Sequence, residues 1–223
     1  NVLSPVTHPG IGQTLTESQV AHSIASISIN SNDDIWVALA EQPLLLKYNA
    51  LQPGQMERSD PDSIRVIIEG YDPDRLHPQK IETDRDDNIW VTVLYSAAVP
   101  SAAPDGVPQV SGPDDPHDKF FLVKYSPSGE RVASPVEFPV GVSLHDMVVD
   151  GFNNLWVSNI APTNNTTTGS IFHISSNGII LKEITSYIDP VTSAETQWDK
   201  PAQLIMDMSD NLWVAHKSNN LVR

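Results

Sequence analysis

Four short segments of this 223-residue chain repeat one pattern, and no other sequence feature constrains the fold as tightly. They are Asp33-Asp34-Ile35-Trp36-Val37-Ala38, Asp87-Asn88-Ile89-Trp90-Val91-Thr92, Asn153-Asn154-Leu155-Trp156-Val157-Ser158 and Asp210-Asn211-Leu212-Trp213-Val214-Ala215. Four of the five tryptophans therefore occupy one motif position. Upstream of each stands Asn30, Asp84, Asp150 or Asp207, preceded by short apolar alternation such as Met147-Val148-Val149. Strand, tight turn, strand is the reading. Asn and Asp tolerate positive φ and bond their own backbone, which a short hairpin turn requires. The Trp strand is apolar on successive residues, so both of its faces are expected to be covered.

A third strand follows each Trp strand, at Leu44–Tyr48, Phe120–Tyr125, Ser170–Ile174 and Asn220–Arg223. Turn signals come next, Ser126-Pro127-Ser128-Gly129 and Ser175-Ser176-Asn177-Gly178. Fourth strands are expected at 64–68, 131–136 and 180–184. The Trp-to-Trp spacings of 54, 66 and 57 residues exceed those of a lean blade, and the excess lies in loops, the largest running from 96 to 118. The expectation is all-β: a single β-propeller domain over 1–223 with four four-stranded blades, in which Trp36, Trp90, Trp156, Trp213, Asp84, Asp150 and Asp207 are structural. Asn1–Val6 parallels Arg131–Val136, an outer strand. Two arrangements stay open, a ring closed by exchange of that N-terminal strand into the last blade, or a fragment of a larger propeller.

An Asp, a short turn, Asn-Ile/Leu-Trp-Val, and then a strand ending Lys124-Tyr125-Ser126-Pro127-Ser128-Gly129 resembles the NHL-type and streptogramin-lyase-like (virginiamycin B lyase-like) β-propellers. The resemblance covers nearly the whole chain and implies a propeller. Two departures matter. Asp33, Asp87, Asn153 and Asp210 stand where such blades carry Gly, and the Trp-Phe-Thr-Glu of the lyases is replaced by Trp-Val-Ala, Trp-Val-Thr, Trp-Val-Ser and Trp-Val-Ala. The acidic position is not reproduced, so lyase activity does not carry over residue by residue.

In such a fold the first strands line a central channel, and the segments entering them crowd one mouth. These carry His22, His77, and His145 with Asp146. Converging imidazoles could hold a divalent metal, Ca²⁺ or Mg²⁺, or act as acid and base near neutrality. Alternatively each His bonds a neighbouring backbone carbonyl at a strand-entry turn. Trp198, Tyr71 and Gln203 lie in connectors expected at the same rim, where an exposed aromatic could stack on a sugar or anchor a protein. Asp114, Asp115 and Asp118 offer oxygen ligands for a cation or form a solvated acidic loop. Asp84-Arg85-Asp86-Asp87-Asn88 begins like a calcium loop, but Ile89 stands where Gly is needed and Tyr95 where a Glu is. Asn164 and Asn165 are glycosylation acceptors if the chain is secreted by a eukaryote.

Charge narrows the partners. Thirteen Lys and Arg against 28 Asp and Glu leave a net charge of −15, which repels phosphate backbones and anionic lipid, so neither nucleic acid nor membrane insertion is expected. Cysteine is absent, which excludes disulfides and thiolate chemistry. Two functions remain in view: an extracellular or periplasmic binding module presenting its loop rim to a protein, peptide or glycan, and a metal-assisted lyase or lactone hydrolase acting through His22, His77, His145 and Asp146.

Overall fold

The computed structural model describes residues 6–7, 14–15, 24–51, 60–96, 118–160, 169–189 and 191–216. A small N-terminal ladder pairs β1 (Val6–Thr7) with β2 (Thr14–Leu15), Val6 opposite Leu15. The described part of the N-terminal segment thus pairs locally; the rest of 1–6, and 217–223 with the expected last strand, lie outside the described residues.

Three four-stranded antiparallel blades follow. Blade 1 is β3 (Ile24–Ile29), β4 (Ile35–Leu39), β5 (Leu44–Tyr48) and β6 (Asp62–Arg65), in that spatial order. Blade 2 is β7 (Leu76–Thr83), β8 (Ile89–Tyr95), β9 (Lys119–Tyr125) and β10 (Val136–Glu137). Blade 3 is β11 (Leu144–Val149), β12 (Leu155–Asn159), β13 (Ser170–Ile174) and β14 (Ile180–Ile184). A two-stranded hairpin, β15 (Ser186–Ile188) with β16 (Glu195–Gln197), precedes β17 (Pro201–Met206) and β18 (Leu212–His216), the described strands of blade 4. No helix among the described residues is long and apolar enough to cross a membrane.

Two outer strands differ from expectation. β6 ends at Arg65: the Val66 N–H still donates to the Pro43 carbonyl at 2.7 Å, but Pro43 has no N–H to return, and Val66 and Ile68 bury between blades 1 and 2. β10 is only two residues long, with Arg131 making a single bridge to Tyr125; Pro135 has no N–H to give a ladder.

Each hairpin is built by the residue six before its Trp. Asp84 Oδ1 accepts from the N–H groups of Asp86 (3.0 Å) and Asn88 (2.9 Å), and Asp150 Oδ1 from those of Phe152 (2.8 Å) and Asn154 (2.9 Å). The second oxygen takes the indole N–H: Trp90 to Asp84 at 3.3 Å, Trp156 to Asp150 at 3.1 Å, Trp213 to Asp207 at 3.0 Å. A ring or cation from the third strand completes the unit. Lys124 Nζ lies 3.0 Å from Asp84 and 4.7 Å from the Trp90 ring centre, while His173 stacks on Trp156 at 4.2 Å. Burial works to raise the Asp150 carboxyl, but the Asn154 and Phe152 N–H groups and the Trp156 indole outweigh it and hold it below its usual range. Asp207 is likewise held low by the Trp213 indole and Asn211.

The residue three before each Trp takes positive φ, 62° at Asp33, 62° at Asp87, 63° at Asn153 and 59° at Asp210. In blades 2, 3 and 4 its side chain reaches the turn of the preceding blade: Asp87 accepts from Ser31 N (2.8 Å), Asn153 from Arg85 N (3.0 Å) and Asp210 from Gly151 N (2.8 Å). A glycine would relax the backbone and lose this clip.

The core lies between blades. Trp36 packs with Ile81, Ile89 and Val91 of blade 2, and Trp90 with Met147, Leu155 and Val157 of blade 3. Trp156 packs with Leu204, Leu212 and Val214 of blade 4. Trp213 is the exception among the motif tryptophans. It is 48% exposed, because its face of blade 4 meets no further blade among the described residues.

Candidate functional site

All four inner strands carry a β-bulge at the same place. The register slips between Ile24 and Ser26, Pro78 and Lys80, Leu144 and Met147, and Pro201 and Gln203. A bulge re-aims the side chains beside it, and four at one level gather one rung of residues toward the inner end of the blades. That rung is Ser26, Lys80, Asp146 and Gln203, each ten residues before its motif Trp. Hydroxyls on the second strands brace two of the bulges: Lys80 N–H donates to Thr92 Oγ1 and Asp146 N–H to Ser158 Oγ, both at 3.0 Å.

Asp146 is the hub of the rung. Its Oδ1 lies 2.8 Å from Lys80 Nζ of blade 2, and its Oδ2 accepts from the Leu204 N–H of blade 4 at 2.9 Å. One carboxylate thus joins three blades. Two residues along β7, Glu82 stands on the same face as Lys80 and is pushed up to about 7, mainly by burial and further by the Asp146 charge, with Lys80 opposing. A carboxyl raised this far toward neutrality can give or take a proton, which suits Glu82 to acid-base work.

The histidines do other things. His77 Nδ1 lies 3.1 Å from the Ala40 carbonyl of blade 1, and His145 Nδ1 2.8 Å from the Ala202 carbonyl of blade 4. Each is an inter-blade strap, one reaching backward and one forward, so they do not converge. His22, Asp114 and Asp115 lie outside the described residues, and Asp118 is buried. No group of three or more His, Asp or Glu side chains arranged to hold a metal ion occurs among the described residues, so His77, His145 and Asp146 make no such cage.

The expected rim is split as well. Trp198 is only 7% exposed and stacks between Tyr187 (4.5 Å) and His216 (5.4 Å), where β15 and β16 close over the junction of blades 3 and 4. Its ring packs rather than presenting a face to solvent. Tyr71 packs edge-on against Tyr95 and Phe121, donates to Glu137 Oε2 at 3.1 Å and accepts from Lys119 Nζ at 3.1 Å. Gln203 alone of the three shares the rung with Asp146. Lys80, Glu82 and Ser26 are missed by motif reading, although counting back from each Trp would have found them.

No protein-family model matches the chain, and no curated protein matches its sequence. Solved structures do match. A catalytically inactive virginiamycin B lyase from Staphylococcus aureus with quinupristin aligns over 93% of this chain and 53% of its own, at 13% identity and a TM-score of 0.57. A gluconolactonase-type protein aligns over 92% and 61%, at 15% identity and a TM-score of 0.54. The extracellular domain of a hybrid two-component system from B. thetaiotaomicron aligns over 86% and 20%, at 14% identity and a TM-score of 0.50. The chain is a β-propeller. It is similar to the streptogramin-lyase and gluconolactonase-like propellers and spans about half the length of the lyase it matches. At such identities the likeness speaks for the fold, and activity must be argued from the site.

Proposed function

We propose that this propeller is an extracytoplasmic binding module whose ligand seats on the inner-strand rung of Ser26, Lys80, Asp146 and Gln203. The observation that carries the reading is that blade-building positions repeat while this rung does not: four equivalent bulges present a hydroxyl, an ammonium, a carboxylate and an amide. Four different polar groups at one level suit a polar ligand such as a peptide or glycan, recognised by several hydrogen bonds. Lys80 is the more exposed partner of its ion pair, and its remaining N–H donors would meet a ligand carboxylate or carbonyl while Asp146 holds it in place. An extracellular setting is supported by the acidic composition and by the likeness to a sensor's extracellular domain.

A second reading is favoured by Glu82. Its raised carboxyl could serve as acid or base in the ring opening of a lactone, the substrate type in the name of the gluconolactonase-type neighbour. One pair of measurements separates the two. Thermal shift of the wild type against soluble peptides and glycans should reveal a ligand whose stabilisation is lost in Asp146→Asn and Lys80→Met. Gluconolactone should remain intact; turnover abolished by Glu82→Gln would replace the first reading with the second.

A further inference from the structure

The two charged residues of the rung stand on braced bulges, and the two neutral ones stand over alanine. The position two after the motif Trp is Ala38 in blade 1, Thr92 in blade 2, Ser158 in blade 3 and Ala215 in blade 4. Ser26 lies in register with Ala38 and Gln203 with Ala215, so hydroxyls occur only beneath Lys80 and Asp146. Both hydroxyls are buried, Thr92 being 2% and Ser158 0% exposed. A buried hydroxyl is costly unless it is hydrogen-bonded, and each of these accepts from the backbone N–H of its own rung residue at 3.0 Å. Ser158 reaches further. Its Oγ lies 3.3 Å from the Asp146 carbonyl and 3.4 Å from the Ala202 carbonyl of blade 4, with a single proton to give between them. Because Leu204 N–H also donates to Asp146 Oδ2, the main chain and the carboxylate of Asp146 are both tied at the seam of blades 3 and 4.

We propose that Thr92 and Ser158 are positioning residues: they hold Lys80 and Asp146 as one fixed pair of charges and so set the electrostatic field that a ligand, and the Glu82 carboxyl, meets at the rung. The proposal rests on the reading of the rung as a ligand site and names the residues that preorganise it. Lys80 Nζ lies 2.8 Å from Asp146 Oδ1, and the charged side chains facing Glu82 are these two, Lys80 from its own strand β7 and Asp146 from β11 of the next blade. Lys80 draws the Glu82 carboxyl down and Asp146 pushes it up, on top of the larger upward push of burial. Displacing either charge therefore moves Glu82 in a direction that names the charge displaced. Bracing the main chain beneath a long flexible side chain narrows the volume its ammonium can sample, which is how surrounding hydrogen bonds preorganise a binding centre.

Carbon-13 NMR titration of the Glu82 carboxyl in glutamate-labelled protein, assigned through Glu82→Gln, tests this without any ligand. Thr92→Val keeps the side-chain shape and removes the brace under Lys80, and Glu82 should then titrate higher by about half a pH unit or more. Ser158→Ala releases Asp146, and Glu82 should titrate lower. Thr92→Ser, which keeps the hydroxyl, should restore the wild-type curve. The Thr92→Val shift should vanish in a Lys80→Met background and the Ser158→Ala shift in an Asp146→Asn background, because each hydroxyl acts through its own charge. A general loosening of the blades would instead hydrate Glu82 and lower its titration in both variants. Shifts of one sign in both variants, no shift in either, or shifts that persist in the Lys80→Met and Asp146→Asn backgrounds would each overturn the proposal. Opposed shifts in a protein that thermal shift finds to bind no soluble peptide or glycan would uphold the positioning roles and refute the binding reading.

Discussion

Blade 1 carries the hairpin unit with its two polar residues exchanged, and exchanging them back should stabilise the protein. Blades 2, 3 and 4 have Asp six before the Trp and Asn two before it: Asp84 with Asn88, Asp150 with Asn154, Asp207 with Asn211. Blade 1 has Asn30 with Asp34. The Asn30 Oδ1 still accepts from the N–H groups of Asn32 (3.1 Å) and Asp34 (2.9 Å), but its Nδ2 donates to Asp34 Oδ2 at 3.2 Å where the other blades place a carboxylate oxygen. An NH₂ therefore stands where the indole needs an acceptor, and Trp36 Nε1, on a fully buried ring, has none. Flipping Asn30 would give the indole its acceptor at the expense of two backbone N–H bonds. A buried unsatisfied donor costs about 1–3 kcal/mol, so Asn30→Asp with Asp34→Asn should gain about 1 kcal/mol after the longer reach of Lys47, now 3.3 Å from Asp34, is allowed for. Each single change should lose stability. Asp34→Asn removes the carboxylate beside a half-buried Lys47 and weakens the acceptor for Ala50 N–H, and Asn30→Asp sets two carboxylates in one turn. Urea denaturation of the four proteins forms a double-mutant cycle whose coupling should be favourable by about 2 kcal/mol. A double variant no more stable than the wild type, or singles whose losses simply add, refutes the account of the exchanged turn.

Glu82→Gln should act in a pH-dependent way. The folded carboxyl titrates at about 7 against an ordinary value of 4.5, so the penalty is absent below pH 4.5, grows as pH rises, and is complete above 7; at pH 8 the variant should be more stable by roughly 3 kcal/mol, and near pH 4.5 equal to the wild type. Equal gains at pH 5 and pH 8 in chemical denaturation would show that burial of charge is not the cause. Lys124→Met leaves the buried Asp84 carboxylate without its cation and should cost about 3 kcal/mol, read as a lowered urea midpoint. Trp90→Ala empties the junction of blades 2 and 3 and should cost about 4 kcal/mol, and Trp156→Ala, on a half-buried ring, about 3 kcal/mol; an unchanged midpoint in either would remove the tryptophans from the inter-blade core.

The repeat was legible because every part of it is local. Asp84 folds its own hairpin through N–H groups two and four residues away, and Trp90 sits across from Glu82 and Lys124 by ladder register alone. The outer strands were less so: β6 stops short opposite Pro43, which has no N–H to return to the ladder, a cross-strand feature that the alternation of Ile64, Val66 and Ile68 does not record. The site was hardest to read. A one-residue bulge breaks the period of two just where Lys80 and Asp146 turn inward, so a strict strand alternation assigns the wrong residues to the rung. His77 and His145 lie thirteen and eleven residues before their tryptophans, and that two-residue difference sends one strap back to Ala40 and the other on to Ala202.

These facts separate scaffold from site along each inner strand. The residue nine before the Trp answers to packing: Ile81, Met147 and Leu204 are interchangeable apolar plugs for the preceding blade. The residue ten before it stands at the bulge, beyond the reach of the neighbouring Trp, and is released from that demand. Ser26, Lys80, Asp146 and Gln203 belong to none of the apolar clusters between blades, all four are polar, and Asp146 is held by an ion pair and a backbone N–H at once. Packing does not ask for this rung, and Asp146 with Lys80 fixes its middle while Ser26 and Gln203 stay available at either side. A ligand that bridges the level would meet a preorganised centre and two adaptable flanks, the arrangement that spends least ordering entropy on recognition.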